Sequence, residues 1–153
     1  MAIVSRYALF AAFAVAVLSH PSSSHDSAGS NSSADLSGFA RRVIELAASI
    51  GSDTFRAIDE LVSETKDEEL KADLNSCQTV YGIASYTLNK ALLGLKNKSY
   101  VQVKNLIGSA DAGVKCEDFF KKSKPVKQSP LTKRNAIFEQ LRSAALSVVD
   151  LIM

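Results

Sequence analysis

The stretch Cys77–Cys116, CQTVYGIASYTLNKALLGLKNKSYVQVKNLIGSADAGVKC, decides the fold. Its ends are the two cysteines of the chain, and the polar break Lys96-Asn97-Lys98-Ser99 lies at its middle. Each arm between cysteine and break is about 19 or 20 residues, roughly 29 Å of helix at ~1.5 Å per residue. If both arms are helical and the chain reverses at the break, equal arms bring their far ends level. A disulfide needs Cα atoms about 4.4–6.8 Å apart, and this register supplies that spacing. The stretch therefore predicts an antiparallel helical hairpin stapled by Cys77–Cys116. Closing a loop of about 40 residues contributes roughly 4 kcal/mol in the chain-entropy model.

Apolar periodicity carries the same reading outward. The second helical stretch runs from about Lys66 to Leu95, with the stripe Leu70, Leu74, Cys77, Tyr81, Ala84, Leu88, Ala91 and Leu95. Its steps of four and three mark one buried face, with Cys77 on it. Glu68 and Glu69 at the start and Lys96 at the end suit the helix dipole. A first stretch, about Asp35 to Glu64, has the stripe Leu36, Phe39, Val43, Ala47, Ile50, Thr54, Ile58 and Leu61, with Gly51-Ser52 as a candidate kink or split. A third opens on a capping box, Ser99 with Gln102, and runs through Tyr100, Val103, Ile107, Ala110 and Val114 to Cys116. Gly113 is expected to end or loosen it. A fourth starts at Ser129-Pro130, with the proline in the first turn, and has the stripe Phe138, Leu141, Ala145, Val148 and Ile152. Four such elements with a short central turn predict an all-α, antiparallel up-down-up-down four-helix bundle. With only 7 Gly and 3 Pro in 153 residues, breakers are scarce, as a helical chain requires.

Ahead of the bundle, residues 1–24 read as a secretory signal peptide. Arg6 supplies the positive start, Tyr7–Leu18 the apolar run, and Ser19 and Ser22–Ser24 the small residues. A run of twelve residues is short for a bilayer span, which needs about 20. Residues 25–34 are expected to form a disordered polar tail, and residues 35–153 the bundle. An exported chain with two cysteines fits one disulfide. Two sequons, Asn31-Ser32-Ser33 and Asn97-Lys98-Ser99, fall in expected surface segments and mark Asn31 and Asn97 as N-glycosylation candidates.

Chemistry is scarce. The formal net charge is +2, too little for a nucleic-acid-binding face. The only histidines, His20 and His25, lie at the leader boundary or in the tail. No glycine-rich phosphate loop and no His/Cys cluster appears, so neither a cofactor nor a metal is expected. Glu117 and Asp118 are adjacent, and adjacent helical residues do not face one another as a catalytic acid pair. The chain is not expected to be an enzyme. Lys121–Lys127 (KKSKPVK) reads as a solvated loop or, alternatively, as a patch for acidic polysaccharide.

Four segments in order carry a wider resemblance: DLSGFARRVIELA (Asp35–Ala47), LKADLNSCQTVYGIA (Leu70–Ala84), SYVQVKNLIGSADAGVKCEDFF (Ser99–Phe120) and SPLTKRNAIFEQL (Ser129–Leu141). Together they resemble the plant pectin methylesterase inhibitor and invertase inhibitor family. The resemblance implies a four-helix bundle with a disulfide between its second and third helices. It implies an apoplastic, cell-wall-facing inhibitor that docks one-to-one over the active-site cleft of a carbohydrate enzyme. The expected partner is a pectin methylesterase or an acid invertase, with no nucleic acid and no membrane. Contact is expected through Tyr86, Lys115 and Asp118 on the second and third helices. Three features depart from the family pattern. The disulfide-closed hairpin that usually precedes the bundle has no counterpart here. Arg142 stands where many members carry a cysteine. Ile83, Tyr86 and Lys115 stand where methylesterase inhibitors tend to be acidic or carry Thr. The alternative is a non-inhibitory extracellular bundle of the same family, with acidic pectin as its ligand.

Overall fold

The computed structural model describes residues 28–153. The expected leader and the first residues of the expected tail lie outside them. Five helices follow in order: α1 (Ala28–Glu64), α2 (Glu68–Lys96), α3 (Tyr100–Ser109), α4 (Ala112–Lys122) and α5 (Thr132–Ile152). α3 and α4 are two halves of one interrupted rod, so the architecture is a four-rod bundle. The rods form a ring: α1 packs on α2 and α5, α2 on α3 and α4, and both of these on α5. Consecutive rods joined by short turns are antiparallel neighbours.

α2 follows its sequence pattern closely. Leu74, Cys77, Tyr81, Ala84, Leu88, Ala91 and Leu95 are all buried. Asp67 caps its start, its carboxylate accepting from the Glu69 and Leu70 amides at 3.0 and 3.1 Å. Cys77 and Cys116 form the disulfide, with Cα atoms 4.7 Å apart.

The other rods depart from the pattern in instructive ways. α1 begins at Ala28 rather than Asp35, so the polar run expected as a tail is helical from Ala28 onward. It is also continuous through Gly51. That glycine lies where α1 closes on α2 and α5: a Cβ there would sit 2.9 Å from Ser85 Oγ and 3.1 Å from Phe138 Cε2. It serves close approach rather than a bend. The same closeness shifts the buried stripe in the first half of α1, while Ala47, Thr54 and Ile58 are buried as expected. Ala40, Ile44 and Ala48 are buried as well, whereas Phe39 is 54% exposed. Small side chains take the centre of a tight helix contact and large ones are displaced to its flanks.

The third rod breaks at Ala110-Asp111, ahead of Gly113. The break resets the helical phase, so Val114 turns outward and Ala112, Gly113, Cys116 and Phe120 turn inward. Gly113 is needed for contact with α5, since a Cβ would meet the Asn135 carbonyl oxygen at 2.7 Å. The Ser99–Gln102 capping box does not form; Ser99 occupies the N-cap of α3 with no side-chain cap bond. α5 starts at Thr132, two residues beyond the expected Pro130. Ser129 instead closes the turn before it, its hydroxyl accepting from the Leu131 amide at 3.1 Å.

Candidate functional site

The three residues expected to meet a partner are all accessible. Tyr86 is 65% exposed on the outer face of α2, with Lys90 Nζ 5.2 Å above its ring. Lys115, on α4, pairs with Asp111 at 2.7 Å. Asp118, one turn further on, pairs with Lys121 at 3.4 Å. The structure places Lys115 in a crevice between α2 and α4, lined by Val80, Ile83, Ala84, Ser109, Asp111 and Ala112. Tyr86 and Asp118 lie outside that lining. The crevice holds about 30 Å³, against several hundred for a small-molecule site. It can take the tip of one side chain from a partner, not a substrate. Ile83, 59% exposed at its edge, is an apolar contact beside the Lys115–Asp111 pair. Exposed Ile83 and Tyr86 with nearby charges make a surface suited to protein docking.

Behind this face a polar network links the helices. Tyr81 Oη donates to Asn135 Oδ1 at 2.7 Å, and Asn135 Nδ2 donates to Glu117 Oε1 at 2.6 Å. The chain of bonds thus runs from α2 through α5 to α4. Burial pushes the Tyr81 phenol well above its ordinary value, and the Glu139 and Glu117 charges push it in the same direction. It stays a protonated donor. Tyr81 also meets the Phe138 ring edge-on, centroids 5.2 Å apart. Asn135 was not foreseen from sequence, although it lies three residues before Phe138 on the same stripe. A polar residue on a core stripe is the signal that finds it.

A second cluster seals the α3/α4 break. Glu139 Oε1 accepts from the Gly113 and Val114 amides at 3.0 and 3.4 Å, capping α4, whose own N-cap Asp111 makes no side-chain cap bond. Glu139 Oε2 also accepts from Arg142 Nε at 2.7 Å. Arg142 in turn donates to the Gly108 carbonyl at the end of α3, at 3.3 Å. Thus a carboxylate meets the positive end of one helix and a guanidinium the negative end of another, the favourable sense for both dipoles. Lys115, one turn into α4, lies next to Val114 of this clamp and has Asp111 as its own partner.

The lysine-rich loop is tied into the fold. Lys127 reaches the α2 N-cap, 2.8 Å from Asp67 and 3.3 Å from Glu69. Its hydrogen bond holds the Asp67 carboxyl below the ordinary value, and the Asp67 bond in turn raises the Lys127 ammonium. Ser123 donates to Asp73 as well. With Lys121 and Lys127 each facing a carboxylate, the loop presents less positive field than its composition implies. Among the described residues no cluster of His, Cys, Asp or Glu could hold a metal ion, and no helix is long and apolar enough to cross a membrane.

An interrupted third rod disulfide-bonded to the second, with the crevice between them, fits the resemblance drawn from sequence. Residues 7–148 match the family described as plant invertase/pectin methylesterase inhibitor. The chain belongs to this family. Among its relatives is a protein of Platanus orientalis named "Putative invertase inhibitor", 33% identical over 121 residues, covering 78% of this chain and 71% of that one. A Platanus acerifolia protein of the same name is 32% identical over 120 residues, covering 78% of this chain and 66% of that one. The fold matches a crystal structure of a pectin methylesterase inhibitor from Arabidopsis thaliana, with a TM-score of 0.70 at 16% identity, covering 95% of this chain and 88% of that one. The family and these relatives are named as inhibitors, not as enzymes, and this chain is an inhibitor-family protein.

Proposed function

We propose that the protein is exported to the cell wall and inhibits an acid invertase by docking one-to-one over its active-site cleft. The observation that carries the choice of target is the 33% identity to a relative whose name specifies invertase. The likeness to the methylesterase inhibitor, at 16% identity, speaks for the fold alone. Ile83, Tyr86 and Lys115, where methylesterase inhibitors tend to be acidic or carry Thr, support the same choice. Ile83 and Tyr86 supply apolar contact, and Lys115 and Asp118 orient the partner by charge. A face built on hydrogen-bonded, disulfide-joined helices is pre-formed, which keeps the entropic cost of docking low.

A paired titration tests this. One preparation is added to an acid invertase and to a pectin methylesterase at mildly acidic pH. Inhibition of invertase at one equivalent, with methylesterase unaffected, is the expected result. Inhibition of methylesterase alone moves the target, and full activity of both overturns the inhibitor reading in favour of a non-inhibitory bundle. Tyr86→Ala and Lys115→Glu are each expected to weaken inhibition by about tenfold, corresponding to ~1.4 kcal/mol.

A further inference from the structure

The turn between α2 and α3 has side chains that the fold does not use. The reversal at Lys96–Tyr100 is closed by backbone alone: the Asn97 amide donates to the Leu93 carbonyl at 3.2 Å, Lys98 to Leu95 at 3.1 Å, and Ser99 to Gly94 at 2.9 Å. Lys98 takes φ 56°, the left-handed region, which a non-glycine residue adopts at a cost and which turns the chain sharply. Asn97 and Ser99 flank it, and both are exposed. Serine at a helix N-cap ordinarily spends its hydroxyl on a backbone amide; Ser99 makes no such bond. Among the described residues the Asn97 carboxamide has no hydrogen-bond partner. The two groups that an Asn-X-Ser acceptor needs, a carboxamide and a hydroxyl two residues on, are therefore both spare.

We propose that Asn97 is an N-glycosylation site, modified from a lipid-linked oligosaccharide pyrophosphate as the chain enters the secretory route. In that transfer the Asn97 Nδ2 forms a bond to the anomeric carbon of the sugar. The bond from that carbon to the pyrophosphate oxygen breaks, the pyrophosphate leaves with its electron pair, and the amide gives up one proton. Nothing in the fold opposes this, because Asn97 sits at the C-terminal tip of α2 with solvent on the outer side. It also lies 14 residues beyond Ile83 on the same helix, about 21 Å at 1.5 Å per residue. A glycan there leaves the α2/α4 crevice open while covering the end of the bundle. The inference rests on export, not on inhibition, so the two fail separately.

The test is expression of the full chain in a eukaryotic secretory host, in one arm behind its own leader and in another behind a leader of known function. Exported protein is digested with a peptide N-glycosidase in heavy-oxygen water and mapped by mass spectrometry, which separates Asn97 from Asn31. Conversion of Asn97 to labelled aspartate behind either leader is the expected result. Asn97→Gln and Ser99→Ala are expected to abolish it, and Ser99→Thr to retain it. Ser99→Ala should also leave the thermal midpoint of the bacterially made, unmodified protein unchanged, because the hydroxyl carries no cap. Exported protein with unmodified Asn97 overturns the proposal.

Discussion

α4 is held on its two sides by different physics. Toward α2 it is joined by the Cys77–Cys116 bond among apolar neighbours, and toward α5 by Glu117, Asn135, Glu139 and Arg142. The covalent side acts mainly on the unfolded chain by restricting it. The polar side acts on the folded state alone, and its strength depends on every member being paired. The first side ties α4 to α2 at one fully buried point; the second fixes where α4 starts.

The sharpest way to break the covalent side is Cys77→Ala with Cys116→Ala. A loss of about 2–5 kcal/mol is expected from urea denaturation. Retained helicity with a loss below ~1 kcal/mol would show that apolar packing alone holds the hairpin. For the polar side, Asn135→Leu leaves both the Tyr81 hydroxyl and the Glu117 carboxylate without their partner. The expected cost is about 1–3 kcal/mol. Adding Tyr81→Phe should restore part of it, since the buried donor is then gone. Strict additivity in the double-mutant cycle would mean that the Tyr81–Asn135 bond contributes nothing of its own.

These two sides also differ in how far they could be read in advance. The hairpin was legible because Cys77, Tyr81, Ala84 and Leu88 repeat at helical steps and the cysteines are equidistant from Lys96–Ser99. The α5 clamp was not, because Glu139 and Arg142 read as ordinary surface charges on a helix. Their targets, the Gly113 amide and the Gly108 carbonyl, exist as unmet groups only because the rod breaks at Ala110-Asp111. No apolar pattern announces that break. The Ser99 capping box erred for the opposite reason: the motif is local, but the turn closes on backbone bonds and leaves the hydroxyl idle. On α1 the period was right and Ala47, Thr54 and Ile58 are buried as expected, but in the first half the stripe moves by one residue, to Ala40 and Ile44, because Ala40, Ala48 and Gly51 allow an approach too close for Phe39. Of the contact residues, Tyr86 was correctly expected to be exposed; that Lys115 shares a crevice with Ile83 follows from the α2–α4 pairing, which no single helix shows.

Glu139→Gln addresses the clamp more gently. The amide keeps the size of the side chain but loses the charge that faces Arg142 and the α4 N-terminus. An expected loss of about 1 kcal/mol is typical of a helix cap. Amide hydrogen exchange at Gly113 and Val114 should rise while that of α2 stays unchanged. Equal acceleration in both helices would mean that Glu139 stabilises the bundle as a whole and not the start of α4.

The smallest effect belongs to the loop, where Lys127 meets Asp67. Both groups are at the surface, so salt screens their attraction. Because the Asp67 carboxyl is held below its ordinary value of 3.8 when folded, its contribution is complete above that pH and is lost as pH falls through the depressed value. Because the Lys127 ammonium is raised above 10.5, its contribution is complete below that pH and is lost as pH rises through the raised value. Asp67→Asn keeps an N-cap acceptor for the Glu69 and Leu70 amides but removes the charge. The variant should therefore be slightly less stable than the parent at neutral pH, with the gap narrowing at high salt and closing in strong acid. Melting curves across pH and salt read this directly. A gap that persists in acid would assign the loss to the cap rather than to the Asp67–Lys127 ion pair, leaving Glu69 as the carboxylate through which Lys127 holds α2.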